Sequence, residues 1–199
     1  MRKRIVSWIA ALALCLSLLP TAAWAVDSFS VTVGGAAVTG TANSKDFTSE
    51  YKITGDNAAV SVSGSTTNGR ILVEASNVTI TLESVSMVLN NCNGSPIEIA
   101  AGKSATLVLK GTNTLTAYAA GPGILVNQGA TLTIRADGSD ADASLTVHGA
   151  QMDRYTDSGG GISGGMMSGF AGIGGPNSSG SLTYTGTINI ESGTINAIG

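Results

Sequence analysis

VTITLE (78–83), SVSMVLN (84–90) and PIEIA (96–100) open a pattern that the chain then repeats. TLVLK (106–110), NTLTA (113–117) and GILVN (123–127) follow, then TLTIR (131–135), SLTVHG (144–149) and AGIGG (171–175), then TINIE (187–191) and TINAIG (194–199). Each unit consists of short alternating runs parted by turns rich in Gly, Asn and Ser. Ile80 and Leu107 are 27 residues apart, and Leu107 and Leu132 are 25 apart. Self-similarity at such a period marks a stacked-repeat architecture.

Within the runs the period is two. Leu107 and Leu109 fall on one face of TLVLK, with Thr106, Val108 and Lys110 on the other; Leu132 and Ile134 repeat this in TLTIR, and Ile188 and Ile190 in TINIE. That alternation specifies strands with one buried face. The expected fold is all-β, a right-handed parallel β-helix, with Ile80, Leu107, Leu132 and Ile188 in one internal ladder. The handedness follows from the rule for parallel crossovers.

Outside the repeat, residues 1–25 read as a secretory signal peptide. Arg2, Lys3 and Arg4 precede the apolar run Ile5–Leu19, Pro20 breaks it, and Ala23-Trp24-Ala25 is a small-x-small cleavage site. Leu14 before Cys15 is too large for a lipoprotein signal. Residues 26–70 alternate without fitting the repeat and are expected to form an N-terminal β cap, shielding the first edge strand. The β-helix is expected to span 71–199. The chain stops at Ala197-Ile198-Gly199, within what should be a repeat unit, so a C-terminal truncation is expected.

Without its leader the chain carries 7 Lys+Arg against 13 Asp+Glu, a net charge of −6. This disfavours nucleic acid and anionic membranes as partners. Cys92 is the only cysteine left, so no internal disulfide can form. Trp8 and Trp24 leave with the leader; three Phe and four Tyr remain, in keeping with a narrow core filled by Val, Ile, Leu and Ala.

Several stretches together resemble a family of secreted and cell-wall proteins of Gram-positive bacteria, the carbohydrate-binding-domain proteins with a pectin-lyase-like fold. The matching pieces are GGAAVTG (34–40), VSVSGSTTNGRILVEASNVTITLESVSM (60–87), IEIAAGKSATLVLKGTNTLTA (97–117), GPGILVNQGATLTI (121–134), SLTVHGA (144–150), AGIGG (171–175) and GTINIESGTINAIG (186–199). The resemblance implies a right-handed parallel β-helix, attachment to polysaccharide or cell surface, and cell-wall association through a C-terminal part not present here.

Chemistry-bearing residues concentrate in the third unit. Two insertions lengthen its turns, Asp137–Ala143 and Gln151–Ser168, and insertions in stacked repeats gather on one side. Asp137, Asp140 and Asp142 are candidate calcium ligands, since calcium takes six to eight oxygens and this turn offers three carboxylates. The spacing is not that of an EF-hand loop. Arg135, Arg154, Tyr155 and Lys110 are candidate carbohydrate contacts, with Tyr118 and Tyr184 as further stacking rings. Arg135 and Lys110 are expected at matching outward positions on successive units. A polysaccharide lyase would need such a base beside a bound cation. Glu74, Glu83, Glu98 and Glu191 are too scattered for a hydrolase pair. His148 reads as a turn residue, and Asn90, Asn91, Asn93 and Asn113 as turn formers. The glycine-rich stretch from Gly159 lacks the G-K-[ST] ending of a phosphate loop, so no nucleotide is expected.

The expected function is therefore that of a secreted, non-enzymatic, surface-exposed carbohydrate-binding protein, with calcium as its one candidate cofactor and a polysaccharide or cell-surface glycan as partner. The alternatives are a structural stalk or adhesin repeat of a larger surface protein, and a polysaccharide lyase.

Overall fold

The computed structural model describes residues 29–41, 47–90, 92–118, 121–138, 140–150, 170–176 and 185–199. The leader assigned to 1–25 and the insertion 151–168 lie outside them. Among the described residues there are strands and turns and no helix. The chain is all-β.

At the N-terminal end, β1 (Ser30–Val33) turns through Gly34-Gly35 into β2 (Ala36–Ala37), and β1 lies antiparallel on β4 (Ala59–Thr67). Among the described residues every later pairing between strands is parallel. β3 (Ser49–Ile53), β5 (Gly69–Val73), β7 (Ile97–Ile99), β10 (Ile124–Val126) and β13 (Ile173–Gly174) form a 5-stranded sheet in that spatial order. The larger sheet is 10-stranded and contains β4, β6 (Val78–Val88), β8 (Ser104–Lys110), β11 (Thr131–Ala136) and β14 (Thr187–Ile190). It branches at β6, whose second half pairs β9 (Thr112–Thr116), followed by β12 (Ser144–His148) and β15 (Thr194–Ile198). Along the chain a strand of the smaller sheet is followed each time by strands of the larger one.

Parallel pairing thus begins earlier than the repeat at Ile71. β3 and β4 lie within 26–70, yet Tyr51 pairs Ile71 and Val60 pairs Ile80, each 20 residues on. Among the described residues the antiparallel covering of the first edge consists of β1, β2 and the bridge from Thr41 to Glu50.

Alternation puts the apolar members of each strand inside, where register stacks them. Val60, Ile80, Leu107, Ile134 and Ile190 form one column; Val78, Ala105, Leu132 and Ile188 form the next. The expected ladder of Ile80, Leu107, Leu132 and Ile188 is therefore corrected. TLTIR does not sit on TLVLK from its first Thr: Thr131 pairs Ser104, and Ile134 pairs Leu107. The slip is two residues, which preserves the inward face and exchanges only the neighbours. In the smaller sheet Tyr51, Ile71, Ile97, Ile124 and Ile173 make a third column. Ile80, Leu107, Ile134 and Ile97 are all fully buried. Each such side chain contributes about 1.5–3 kcal/mol by leaving water.

Asn113 also points inward, with 0% of its surface exposed. Its Oδ1 accepts from Val85 N–H (2.9 Å), and its Nδ2 donates to the carbonyls of Lys110 (3.1 Å), Gly111 (3.2 Å) and Ser144 (3.1 Å). One amide thereby ties three successive layers together at a corner. Cys92 is buried against Phe47 and Leu89, its thiol 3.3 Å from Asn68 Oδ1.

Candidate functional site

The corner that Asn113 braces carries the densest cluster of the predicted site residues. β6 bends there at Ser84, whose φ is 52°, and β8 passes into β9 through Gly111, whose φ is 61°. Both are left-handed backbone, which lets the chain turn without breaking the ladder. One layer on, β11 and β12 are joined by the longer acidic turn. Glu83, Ser84, Lys110, Gly111, Asp137 and Asp140 line a shallow, open cleft of about 420 Å³.

Lys110 is placed between carboxylates. It pairs Glu83 in register, and its Nζ lies 3.4 Å from Asp137 Oδ2. Asp140 closes the turn on the layer below. Its Oδ2 accepts from Gly111 N–H (2.5 Å) and its Oδ1 from Asp142 N–H (3.0 Å), while its own N–H donates to Asp137 C=O (2.8 Å). The Asp140 carboxylate thus serves as a local brace. Asp142 is exposed. Among the described residues no three His, Cys, Asp or Glu side chains come together as a metal cluster.

Arg135 does not join Lys110. In register it lies beside Val108, and Lys110 lies beside Glu83, so the expected matching of the two cations on successive layers is corrected. The cause is the same two-residue slip. Arg154, Tyr155 and Tyr184 lie outside the described residues. Tyr118 ends the segment after β9, with 46% of its surface exposed.

A second charged cluster, which the sequence reading did not assemble, lies on the outer side of the smaller sheet. Arg70 Nε donates to Glu50 Oε2 at 2.6 Å and its NH1 to Glu98 Oε2 at 3.0 Å, and the guanidinium stacks 4.7 Å from the Phe47 ring centroid. Arg70 and Glu50 are buried, at 7% and 6% exposure of their side chains. Asn127 Nδ2 donates to the other oxygen of Glu98 at 3.2 Å. The signal was available: aligning SEYKI (49–53) with GRILV (69–73) puts Glu50 opposite Arg70. Its burial gives it a structural character.

Chemically, the corner offers an acidic, open cleft with one ammonium, and its carboxylates hold backbone and lysine. No family model matches the chain, and neither a curated protein nor a solved structure matches it.

Proposed function

We propose that the chain is a secreted or surface-exposed, non-enzymatic carbohydrate-binding protein, built as a right-handed parallel β-helix. Strands recurring in parallel register at 27-residue steps, from Ile80 to Leu107 to Ile134, support the coiled architecture. The observation that carries the functional reading is the corner cleft. It is open rather than enclosed, so a polymer could run past it, whereas a small substrate would not be surrounded. Hydrogen-bonding side chains there rest on strand ends held by Asn113 and Asp140, a preorganised base for recognition.

Lyase chemistry fits this corner less well. It calls for a free base beside a bound cation, whereas Lys110 faces Asp137 and Asp140 is engaged by two backbone N–H groups. A structural stalk or adhesin is the second reading, favoured by one observation: the parallel strands stack at even 27-residue steps, a regular array that suits a spacer.

The test is retention of residues 26–199 on neutral and acidic polysaccharides, with calcium and with chelator. Retention of polyuronates lost with chelator supports calcium at Asp137, Asp140 and Asp142. Retention regardless of chelator supports binding without calcium. Failure of a folded sample to bind any glycan sinks the carbohydrate reading and leaves the stalk.

A further inference from the structure

The charged side chains of the larger sheet collect at the corner and along the column beside it. The outer face beyond the corner, on β9, β12, β15 and the second half of β6, carries none. Register there lines up Ser65, Ser86, Thr114, Thr146 and Asn196 in one outward column. Thr112, Ser144 and Thr194 form the column next to it. Thr67, Val88, Thr116, His148 and Ile198 form the column on the far side, and no Lys, Arg, Asp or Glu occurs in TNTLT (112–116), SLTVH (144–148) or TINAI (194–198). Neighbouring strands are roughly 4.8 Å apart and alternate residues about 6.6 Å, so the hydroxyls form a regular array. Thr114, Thr116 and Thr146 are half-buried, with their inner partners Leu115 and Val147 fully so, which fixes which side faces solvent. Tyr118 follows two residues after Thr116 and is the one large aromatic exposed among the described residues.

We infer that this hydroxyl-bearing face, with Tyr118 at its margin, is a docking surface for a neutral polysaccharide chain. The inference rests on the carbohydrate-binding reading and names its ligand class. Hydroxyls both donate and accept, as sugar hydroxyls do, so an array of them matches a ligand that is itself a row of hydroxyls. A tyrosine ring supplies the apolar platform on which a pyranose face stacks. Charge selects against the alternative. The chain beyond its leader is −6, and the adjoining corner holds Glu83, Asp137 and Asp140 against Lys110, so a polyanionic glycan is repelled from both.

The experiment is a depletion isotherm of residues 26–199 on insoluble cellulose and chitin, with soluble polygalacturonate compared by affinity electrophoresis. Tyr118→Ala and the double variant Thr114→Lys/Thr146→Lys should each weaken neutral-glycan binding by about tenfold, the loss of one or two hydrogen bonds or a stacking contact. Lys52→Ala should leave it within about twofold, because that side chain is exposed on the smaller sheet, away from this face and from the corner. If the lysine pair fails to fold by circular dichroism, Thr114→Val/Thr146→Val removes the hydroxyls while keeping shape and strand preference, and should weaken binding about threefold or more. Binding that survives the face variants but is lost in Lys110→Ala overturns this inference and leaves the carbohydrate reading standing. Binding to polygalacturonate alone also overturns it, since the ligand would then be charged. No binding to any glycan overturns the carbohydrate reading itself.

Discussion

Replacing Arg70 by Met should be the most costly single change on the outer side of the smaller sheet. The guanidinium holds two carboxylates, Glu50 at 2.6 Å and Glu98 at 3.0 Å, and covers the Phe47 ring at 4.7 Å. Glu50 is 6% exposed, and Lys52 Nζ, 3.6 Å from it, is an ammonium that is itself 49% exposed. Such a half-solvated partner offsets only about 0–1 kcal/mol. Breaking a buried pair from one side costs about 3–5 kcal/mol, because the remaining charge stays desolvated. Glu98 suffers less, being 22% exposed and still bonded to Asn127. The expected loss is therefore about 4 kcal/mol, a large part of the roughly 5–15 kcal/mol that holds a domain folded. In urea unfolding followed by far-ultraviolet circular dichroism, the midpoint should fall by roughly 2 M at an unchanged slope of about 2 kcal/mol/M. The double variant Glu50→Leu/Arg70→Met should recover most of the loss, since it removes the buried carboxylate along with the guanidinium. A loss below about 1 kcal/mol for Arg70→Met, or a double variant no better than the single, would refute the assignment of this pair as a buried clasp.

Other perturbations follow from the corner and the last layer. Asn113→Leu orphans the N–H of Val85 inside the core and should cost about 3 kcal/mol, read in the same urea titration; an unchanged midpoint would show that the amide is dispensable. Gly111→Ala should cost about 1–2 kcal/mol, since φ is +61° and a Cβ would lie 2.6 Å from Ser84 Oγ; a neutral effect would mean the bend relaxes freely. Asp140→Ala should lower the melting temperature through its lost bond to Gly111 N–H, both with calcium and with chelator. A drop seen only with calcium would instead support a metal held by that turn. Ile190→Lys should reduce concentration-dependent association in light scattering, because Ile190 is exposed on a strand with one partner among the described residues; equal scattering from both proteins would contradict that.

Much of the core was legible because parity is robust. Alternation alone marks Leu107, Leu109, Leu132 and Ile134 as inward, and all four are fully buried. Register was not legible from the recurring Thr-Leu pair, which led TLTIR to be laid on TLVLK two residues out of step. Equal spacing was the better guide: Ile80, Leu107 and Ile134 are 27 apart each time, whereas Leu132 breaks the interval. A two-residue slip is invisible to burial but decides who touches whom outside. It alone separated Lys110 from Asp137 and matched it with Arg135 instead. Asn113 read as a turn residue because Asn favours left-handed backbone. Its inward position is set by strand parity, and its polarity is tolerated because backbone groups of three layers satisfy it. The Arg70 cluster was hidden because its members come from three separate layers, at sequence separations of 20 and 28 residues.

The most direct measurement incubates residues 26–199 with a retained polysaccharide and then sizes both the bound protein fraction and the recovered glycan. Saturable binding with the glycan unchanged in length and carrying no unsaturated ends is the expected result. Shortened or unsaturated glycan would contradict the proposal of a binding protein without catalysis, and the absence of binding to any polysaccharide would contradict the proposal of a carbohydrate ligand.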